Sequence, residues 1–520
     1  MSEPIATTAI TLDPTVAAFD ADDRVDRLGR THFIGIGGAG MSVLAEMLHE
    51  QGVSVDGSDR EPSAKTERLQ SLGIPVQFGQ RAENVAGAAT VVYSSAIKPD
   101  NPEIVAAHSA GARIVHRSDI LALLMAAKRA VTVAGAHGKT TTSSLLAHIL
   151  VQGGTGELAD PSYAIGGSIQ SADGVNRDGG HAGRGSVLVA EADESDGSFR
   201  KYHPDIAIVT NAEPDHLDHY GTGERYHAAF VDHVGHARGS VVMCADDEGC
   251  LTVLRALDPD TAARTVVYTT QDPTALGELN GAAVVRIESE QESAGDGHER
   301  FVLRIPASLA SDERENVVPV ELSIPGLHNA RNAAAAIIAA GLLGMPYEDA
   351  AHAATSFLGA ARRFQICGAV DGVTVIDDYA HHPTEIAALL DATRRRYPRS
   401  RIHVLFQPHL FSRTKFFAPQ FAEALSKADD VIVSGIFPAR ERQEDFPTVS
   451  AATIVEAAKA CATGRTPHIE AVEDMREGAA ALAGRAQAGD VVLTVGAGDV
   501  NRMDAELLRL LEARDGGMTR

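Results

Sequence analysis

The chain has 520 residues, enough for about three domains, and its 44% hydrophobic and 22% charged residues are the balance of a soluble globular protein. A formal net charge of −24 excludes general nucleic-acid binding, which needs a basic face, but not anions held by local glycine loops. Cys244, Cys250, Cys367 and Cys461 form no Cys-x-x-Cys pair and no zinc spacing, so reduced cytosolic thiols are expected.

Residues 1–30 form an acidic leader without a basic start or an apolar core, which predicts a flexible extension and not a signal peptide. Thr31-His-Phe-Ile-Gly35 reads as a short buried strand. Gly35-Ile-Gly-Gly-Ala-Gly40 then matches G-x-G-x-x-G, and Met41-Ser42 opens a helix. This is the pattern of a Rossmann-like nucleotide site, with NAD as the default ligand. A second strand, Val53-Ser-Val55, ends near Asp56 and Asp59, at the distance of a ribose-binding acid. The strand Thr90–Tyr93 runs into Ser94 and Ser95, whose hydroxyls either meet a phosphate or sugar or merely end the strand. Ile114-Val115 is another strand end, followed by a helix over 120–128.

The most informative stretch is Val131-Thr-Val-Ala-Gly-Ala-His-Gly-Lys-Thr-Thr-Thr-Ser143. A β-branched run leads into a loop with Gly135 and Gly138, then Lys139, Thr140 and Thr141 open a leucine-rich helix. Glycines let the backbone curl so that its N–H groups face anionic oxygens, and the helix N-terminus adds partial positive charge there. Lys139 can reach the β/γ phosphates and Thr140 can ligate Mg²⁺. The standard loop carries a further glycine where this chain has Val133.

Ser186-Val-Leu-Val-Ala190 is a second buried strand, running into Glu191-Ala-Asp-Glu-Ser-Asp196. Carboxylates at a strand's carboxyl end are placed to hold a metal, and Glu191, first after the strand, is the candidate ligand. Glu194 reads as part of a solvated loop. Ile206-Ala-Ile-Val-Thr210 is a third strand, ending near His216, a candidate metal ligand among acids. Residues 277–316 are polar and glycine-dotted, with a hairpin expected around them and no recognisable chemistry. An apolar stretch over 333–347 is short for a membrane span and reads as a buried helix. Pro325-Gly-Leu-His-Asn-Ala-Arg-Asn-Ala333 starts a helix, and Asn329 and Asn332, three apart, share one face of it, where they either meet a purine edge or, for Asn329, cap the helix.

In the last third, strands at Val373–Ile376, Ile402–Phe406, Asp430–Val433 and Asp490–Val495 alternate with helices and carry polar residues at their ends. They describe another α/β sheet. Arg394-Arg-Arg396 reads as the exposed face of a helix.

The motifs Ile34-Gly-Ile-Gly-Gly-Ala-Gly-Met-Ser42, Gly135-Ala-His-Gly-Lys-Thr-Thr141, Glu191-Ala-Asp-Glu-Ser-Asp196, Asp215-His-Leu-Asp218, His328-Asn-x-x-Asn332, Asp377-Asp-Tyr-x-His-His-Pro383 and Gln407-Pro-His409 occur in this order. Together, across about residues 30–500, they resemble the Mur ligases of peptidoglycan synthesis, in particular those that add the first amino acid. The resemblance implies an α/β protein of three domains. These are a Rossmann-like UDP-sugar domain over 31–128, a P-loop-type ATP domain over 129–360 and a Rossmann-like domain over 361–520. It implies a cytoplasmic, ATP- and Mg²⁺-dependent ligase joining L-alanine to UDP-N-acetylmuramate through an acyl phosphate, with no nucleic-acid partner and no membrane insertion. It assigns the first glycine loop to UDP instead of NAD.

By the same resemblance, Gly37, Gly38, Ala39, Gly40, Met41, Ser42, Asp59, Ser94 and Ser95 bind the UDP-sugar. Gly135, Ala136, His137, Gly138, Lys139, Thr140, Thr141, Asn329, Asn332, Arg363 and Asp378 bind ATP. Lys139, Glu191 and His216 are catalytic. Thr140 and Glu191 hold one Mg²⁺ and His216 a second. Tyr379, His381 and Arg413 face the sugar-linked carboxylate or alanine. Several Mur ligases carry a carbamylated lysine after Asp-His-x-Asp; the comparable place here is near Phe230. The alternatives are a ligase that recycles a preformed tripeptide, an NAD-dependent oxidoreductase with an appended P-loop domain, and a non-catalytic nucleotide sensor.

Overall fold

A computed structural model describes residues 10–20, 22–171, 177–289, 297–310, 314–439, 441–460 and 468–515. Residues 1–9 of the leader, Cys461 and parts of the 277–316 stretch lie outside the described residues. The chain forms two compact units. One comprises Met1–Glu288, Val302–Val320 and Arg331–Thr355; the other comprises Ser289–Phe301, Glu321–Ala330 and Ser356–Arg520.

The first unit begins with a five-stranded parallel sheet in the order Val76–Phe78, Val55–Asp59, Thr31–Ile34, Thr90–Tyr93, Arg113–His116. The order reverses between Thr31–Ile34 and Thr90–Tyr93, so the crevice of a doubly wound sheet opens where the first glycine loop and Ser94-Ser95 emerge. The helix Ala39–Glu50 covers the sheet with Met41, Leu44, Met47 and Leu48. The second strand is Val55–Asp59, not Val53–Val55 as the hydrophobic pattern suggested. Its polar residues are accommodated by tertiary partners. Asp56 pairs with Arg30 at 2.6 Å and His32 at 2.5 Å, and Ser58 Oγ donates to Glu103 at 2.7 Å. Described residues of the leader touch the first sheet and its last helix. The Ala18 amide donates to Asp119 at 3.2 Å, and Arg113 lies 5.2 Å over the Phe19 ring.

A larger sheet follows in the same unit. Its parallel strands run in the order Thr265–Thr269, Ser240–Cys244, Ile206–Val209, Arg129–Ala134, Val187–Glu191, Ser162–Ala164. The strand before the phosphate loop is therefore central, flanked by the two strands whose ends were expected to supply chemistry. Ala283–Ser289, inside the 277–316 stretch, extends the sheet beside Thr265–Thr269, and Glu299–Ile305 is its next strand. The apolar stretch over 333–347 supplies the helix Leu327–Leu342, in which Ala333 to Ala340 are all buried. Among the described residues no helix is long and apolar enough to cross a membrane.

The second unit carries a six-stranded sheet in the order Gln365–Val370, Val373–Asp378, Val491–Val495, Ile402–Phe406, Asp430–Val433, His468–Ala471. The first pair is antiparallel and the rest are parallel. Helices cover both faces, with cores around Phe406, Phe421 and Leu493 on one side and Leu405, Ile432 and Leu507 on the other. The arginines at 394–396 are not a solvated face. Arg394 pairs with Asp429 at 2.7 Å, Arg395 with the buried Glu299 at 2.9 Å, and Arg396 lies over the Phe364 and Tyr397 rings. Helical spacing alone does not reveal acids donated from elsewhere in the chain.

Candidate active site

The phosphate loop is shaped by its two glycines. Gly135 has φ +138°, and a Cβ there would fall 2.2 Å from Thr210 Oγ1. Gly138 has φ +83°, caps the helix Lys139–Gly153, and its Cβ would fall 2.7 Å from Asn332 Oδ1. Both positions demand the left-handed freedom of glycine and a close approach of neighbours. Asn211 clamps the loop from the next strand end: its Oδ1 accepts from the His137 amide at 3.1 Å and its Nδ2 donates to the His137 carbonyl at 2.8 Å. The missing glycine at 133 costs nothing here, because Val133 is wholly buried in the strand.

Lys139 is folded along the loop. Its Nζ donates to the carbonyls of Gly135 and Ala136 and to both oxygens of Glu194, at 3.1 and 2.9 Å. Glu194 is completely buried, so its reading as a solvated loop acid is wrong. The buried carboxylate is tolerated because Lys139 neutralises it. Burial pulls the Lys139 pKa down, but Glu194 and Asp193 push it above the ordinary lysine value. The ammonium therefore stays charged, as a phosphate-binding group must.

Glu191 and Thr140 border one turn. Glu191 Oε1 accepts from the Gly166 amide at 3.1 Å and the Ser143 hydroxyl at 3.4 Å, while a Cβ on Gly167 would lie 3.3 Å from Thr140 Cγ2. His216 sits in a left-handed conformation, φ 52°, with Nε2 at 3.6 Å from Glu194 Oε1. A carboxylate and a hydroxyl beside the loop form a hard-oxygen donor set that suits Mg²⁺. Phe230 is buried between Phe199 and Tyr226, with ring centroids at 5.1 and 5.0 Å. It can contribute packing only.

At the first glycine loop, Asp59 closes the turn: Oδ2 accepts from the Gly37 amide at 2.8 Å and Oδ1 from the Arg60 amide at 2.7 Å. Ser95 Oγ donates to Asp196 and lies 3.1 Å from His116 Nε2, while the Ser94 carbonyl accepts from the Ile97 amide. Of the sequence candidates, residues 135–141, Glu191, His216 and Asn332 share the first unit with this loop, whereas Asn329 falls in the second. Asn329 Nδ2 donates to the Pro325 carbonyl at 2.7 Å.

Within the second unit, Arg362 and Arg363 flank the Tyr379 ring at 5.0 and 5.4 Å. Arg362 and Phe364 both have positive φ, 60° and 49°, and Asp378 holds that turn. Its Oδ2 accepts from the Phe364 amide at 2.7 Å and its Oδ1 from the Ala380 amide at 2.8 Å. Burial raises the Asp378 pKa to about 6, against the pull of Arg363 and the two amides. His381 Nδ1 lies 3.2 Å from Glu385, and Arg413 is buried.

Comparison with known proteins decides the family. Residues 30–129, 133–340 and 362–498 match the family models described as Mur ligase family, catalytic domain; Mur ligase middle domain; and Mur ligase, glutamate ligase domain. The chain belongs to the Mur ligase family.

The UDP-N-acetylmuramate–L-alanine ligase of Bifidobacterium adolescentis is 70% identical over 505 residues, covering 97% of this chain and 97% of that one. The corresponding ligase of Renibacterium salmoninarum is 46% identical, covering 93% of this chain and 96% of that one. The crystal structure of UDP-N-acetylmuramate–alanine ligase from Thermotoga maritima superposes with a TM-score of 0.73 at 29% identity, covering 93% of this chain and 99% of that one. Both glycine loops lie inside Mur ligase matches, so the first is not the mark of an appended oxidoreductase. The residues that sequence reasoning missed in this Mur ligase are Glu194, Asn211 and Thr210. Thr210 and Asn211 come straight after the strand Ile206–Val209, and Glu194, read as a loop acid, lies three residues beyond the strand Val187–Glu191; position after a buried strand was the available signal.

Proposed function

We propose that the chain joins L-alanine to the carboxylate of UDP-N-acetylmuramate, using ATP and passing through an acyl phosphate, in the cytoplasmic steps of peptidoglycan precursor synthesis. The observation that carries this reading is the 70% identity, over 97% of the chain, to a ligase of that name. The loop geometry around Lys139 supports it independently. We assign 31–128 to the sugar nucleotide, 129–360 to ATP and 361–520 to the amino acid.

A carboxylate resists attack by an amine because oxide is a poor leaving group. Transfer of the γ-phosphoryl group to it supplies a good one. The amine of alanine then attacks the acyl carbon, and phosphate leaves as the amide forms. The protein's part is to position the reactants and neutralise charge. Lys139 and the amides of residues 135–141 hold the β/γ phosphates, with Glu194 keeping Lys139 charged and aligned. Thr140 and Glu191 would hold one Mg²⁺ and His216 a second; the ions supply charge neutralisation on the phosphate oxygens. Asn332, beside Gly138, and Asn329 contact the nucleotide. We assign Arg363, in the turn that Asp378 holds, to ATP, and Tyr379, His381 and Arg413 to the acid or the amino acid.

Phosphate release from ATP by the purified protein tests the reading. It is expected only when UDP-N-acetylmuramate and L-alanine are both present. Turnover that ignores the sugar nucleotide, or a tripeptide that outcompetes alanine as the amine, would overturn it.

A further inference from the structure

The acidic run after the strand Val187–Glu191 faces two ways. Glu191 and Glu194 meet the phosphate loop and its helix, through Ser143 at 3.4 Å and Lys139 at 2.9 Å. Asp193 and Asp196 meet the first sheet. Asp193 Oδ2 accepts from Arg117 Nη2 at 2.6 Å, and Asp196 accepts from Ser95 Oγ and lies 3.6 Å from His116 Nε2. Arg117 is also packed under the first glycine loop, where a Cβ on Gly40 would fall 2.9 Å from its Nη1. One guanidinium thus touches the loop expected to carry the sugar nucleotide and a carboxylate adjacent in sequence to the partner of Lys139.

We propose that the Arg117–Asp193 pair is a positioning link between the two nucleotide loops, through which sugar nucleotide and ATP strengthen each other's binding. The identity of the two ligands rests on the function proposed above. The run has little slack to absorb a displacement. The Ser195 amide donates to Asp193 at 3.1 Å, the Gly197 amide to the Glu194 carbonyl at 3.1 Å, and the Ser198 amide to Asp196 at 3.0 Å. A shift of Asp193 is therefore carried to Glu194, and through it to Lys139.

Calorimetric titration of UDP-N-acetylmuramate into the full-length protein, with and without a non-hydrolysable ATP analogue and Mg²⁺, tests the link. In the unsubstituted protein each ligand is expected to tighten the other by about tenfold, by the same factor in either order. Asp193→Asn is expected to bring the factor within about twofold of unity, and Arg117→Lys, which keeps the charge but not the fork, to retain part of it. If Asp193→Asn does not fold, Arg117→Lys alone carries the test, and a full factor in it overturns the link. A purely structural pair would lower the melting temperature and leave the factor unchanged, which also overturns it. Both ligands binding without mutual enhancement overturns this inference alone. No binding of UDP-N-acetylmuramate overturns the functional reading and the link with it.

Discussion

Replacing Glu194 by Gln removes one negative charge and almost no volume. In the unliganded protein it leaves the Lys139 ammonium hydrogen-bonded only to neutral oxygens, the Gly135 and Ala136 carbonyls and the new amide oxygen. Breaking a buried ion pair from one side costs roughly 3–5 kcal/mol. Lys139 keeps 18% of its side-chain surface exposed, so the lower end applies, about 2–3 kcal/mol after partial hydration. For domains of this size that corresponds to about 3–6 °C in the first unfolding transition. Triphosphate would restore a counter-charge, so the thermal shift on adding Mg²⁺ and an ATP analogue should be larger in Glu194→Gln than in the unsubstituted protein. Differential scanning fluorimetry with and without nucleotide reads both quantities. An unliganded melting temperature within about 1 °C of the unsubstituted protein, or a smaller nucleotide shift, would refute the argument that this pair neutralises the empty loop.

Arg395→Ala should destabilise by roughly 3 kcal/mol in a denaturant titration, because Glu299, 1% exposed, loses its cation; an exposed arginine would change stability by only about 0.5 kcal/mol. Gly138→Ala forces a left-handed conformation costing about 1–2 kcal/mol and pushes on Asn332, so ligase turnover should show a raised KM for ATP with the fold retained by circular dichroism. His181, between Glu50 and Asp160, has its pKa raised to about 9 by the Glu50 hydrogen bond, with burial opposing. Its stabilisation is complete below the unfolded value of 6.5 and is lost as pH rises through about 9. The difference in melting temperature between the unsubstituted protein and His181→Gln should thus be greatest near pH 6.5 and vanish above about pH 9.

What the sequence determined by itself was local. Gly135, Gly138, Lys139 and Thr140 declare a phosphate loop because strand, turn and helix start are encoded within a dozen consecutive residues, and only glycine takes the φ values found there. The serial order of seven such motifs was enough to indicate the family and the three-part architecture. Tertiary structure alone decided the fate of charges whose partners are remote in sequence. Glu194 looked solvated and is sealed under Lys139; Arg395 looked solvated and holds Glu299; Asp56 was placed just past the second strand and lies inside it. The reason is electrostatic. A charged side chain has the same local signature whether it meets water or an opposite charge, and only the fold, by bringing residues 55 or 96 positions apart to within 3 Å, removes the water and leaves the pair.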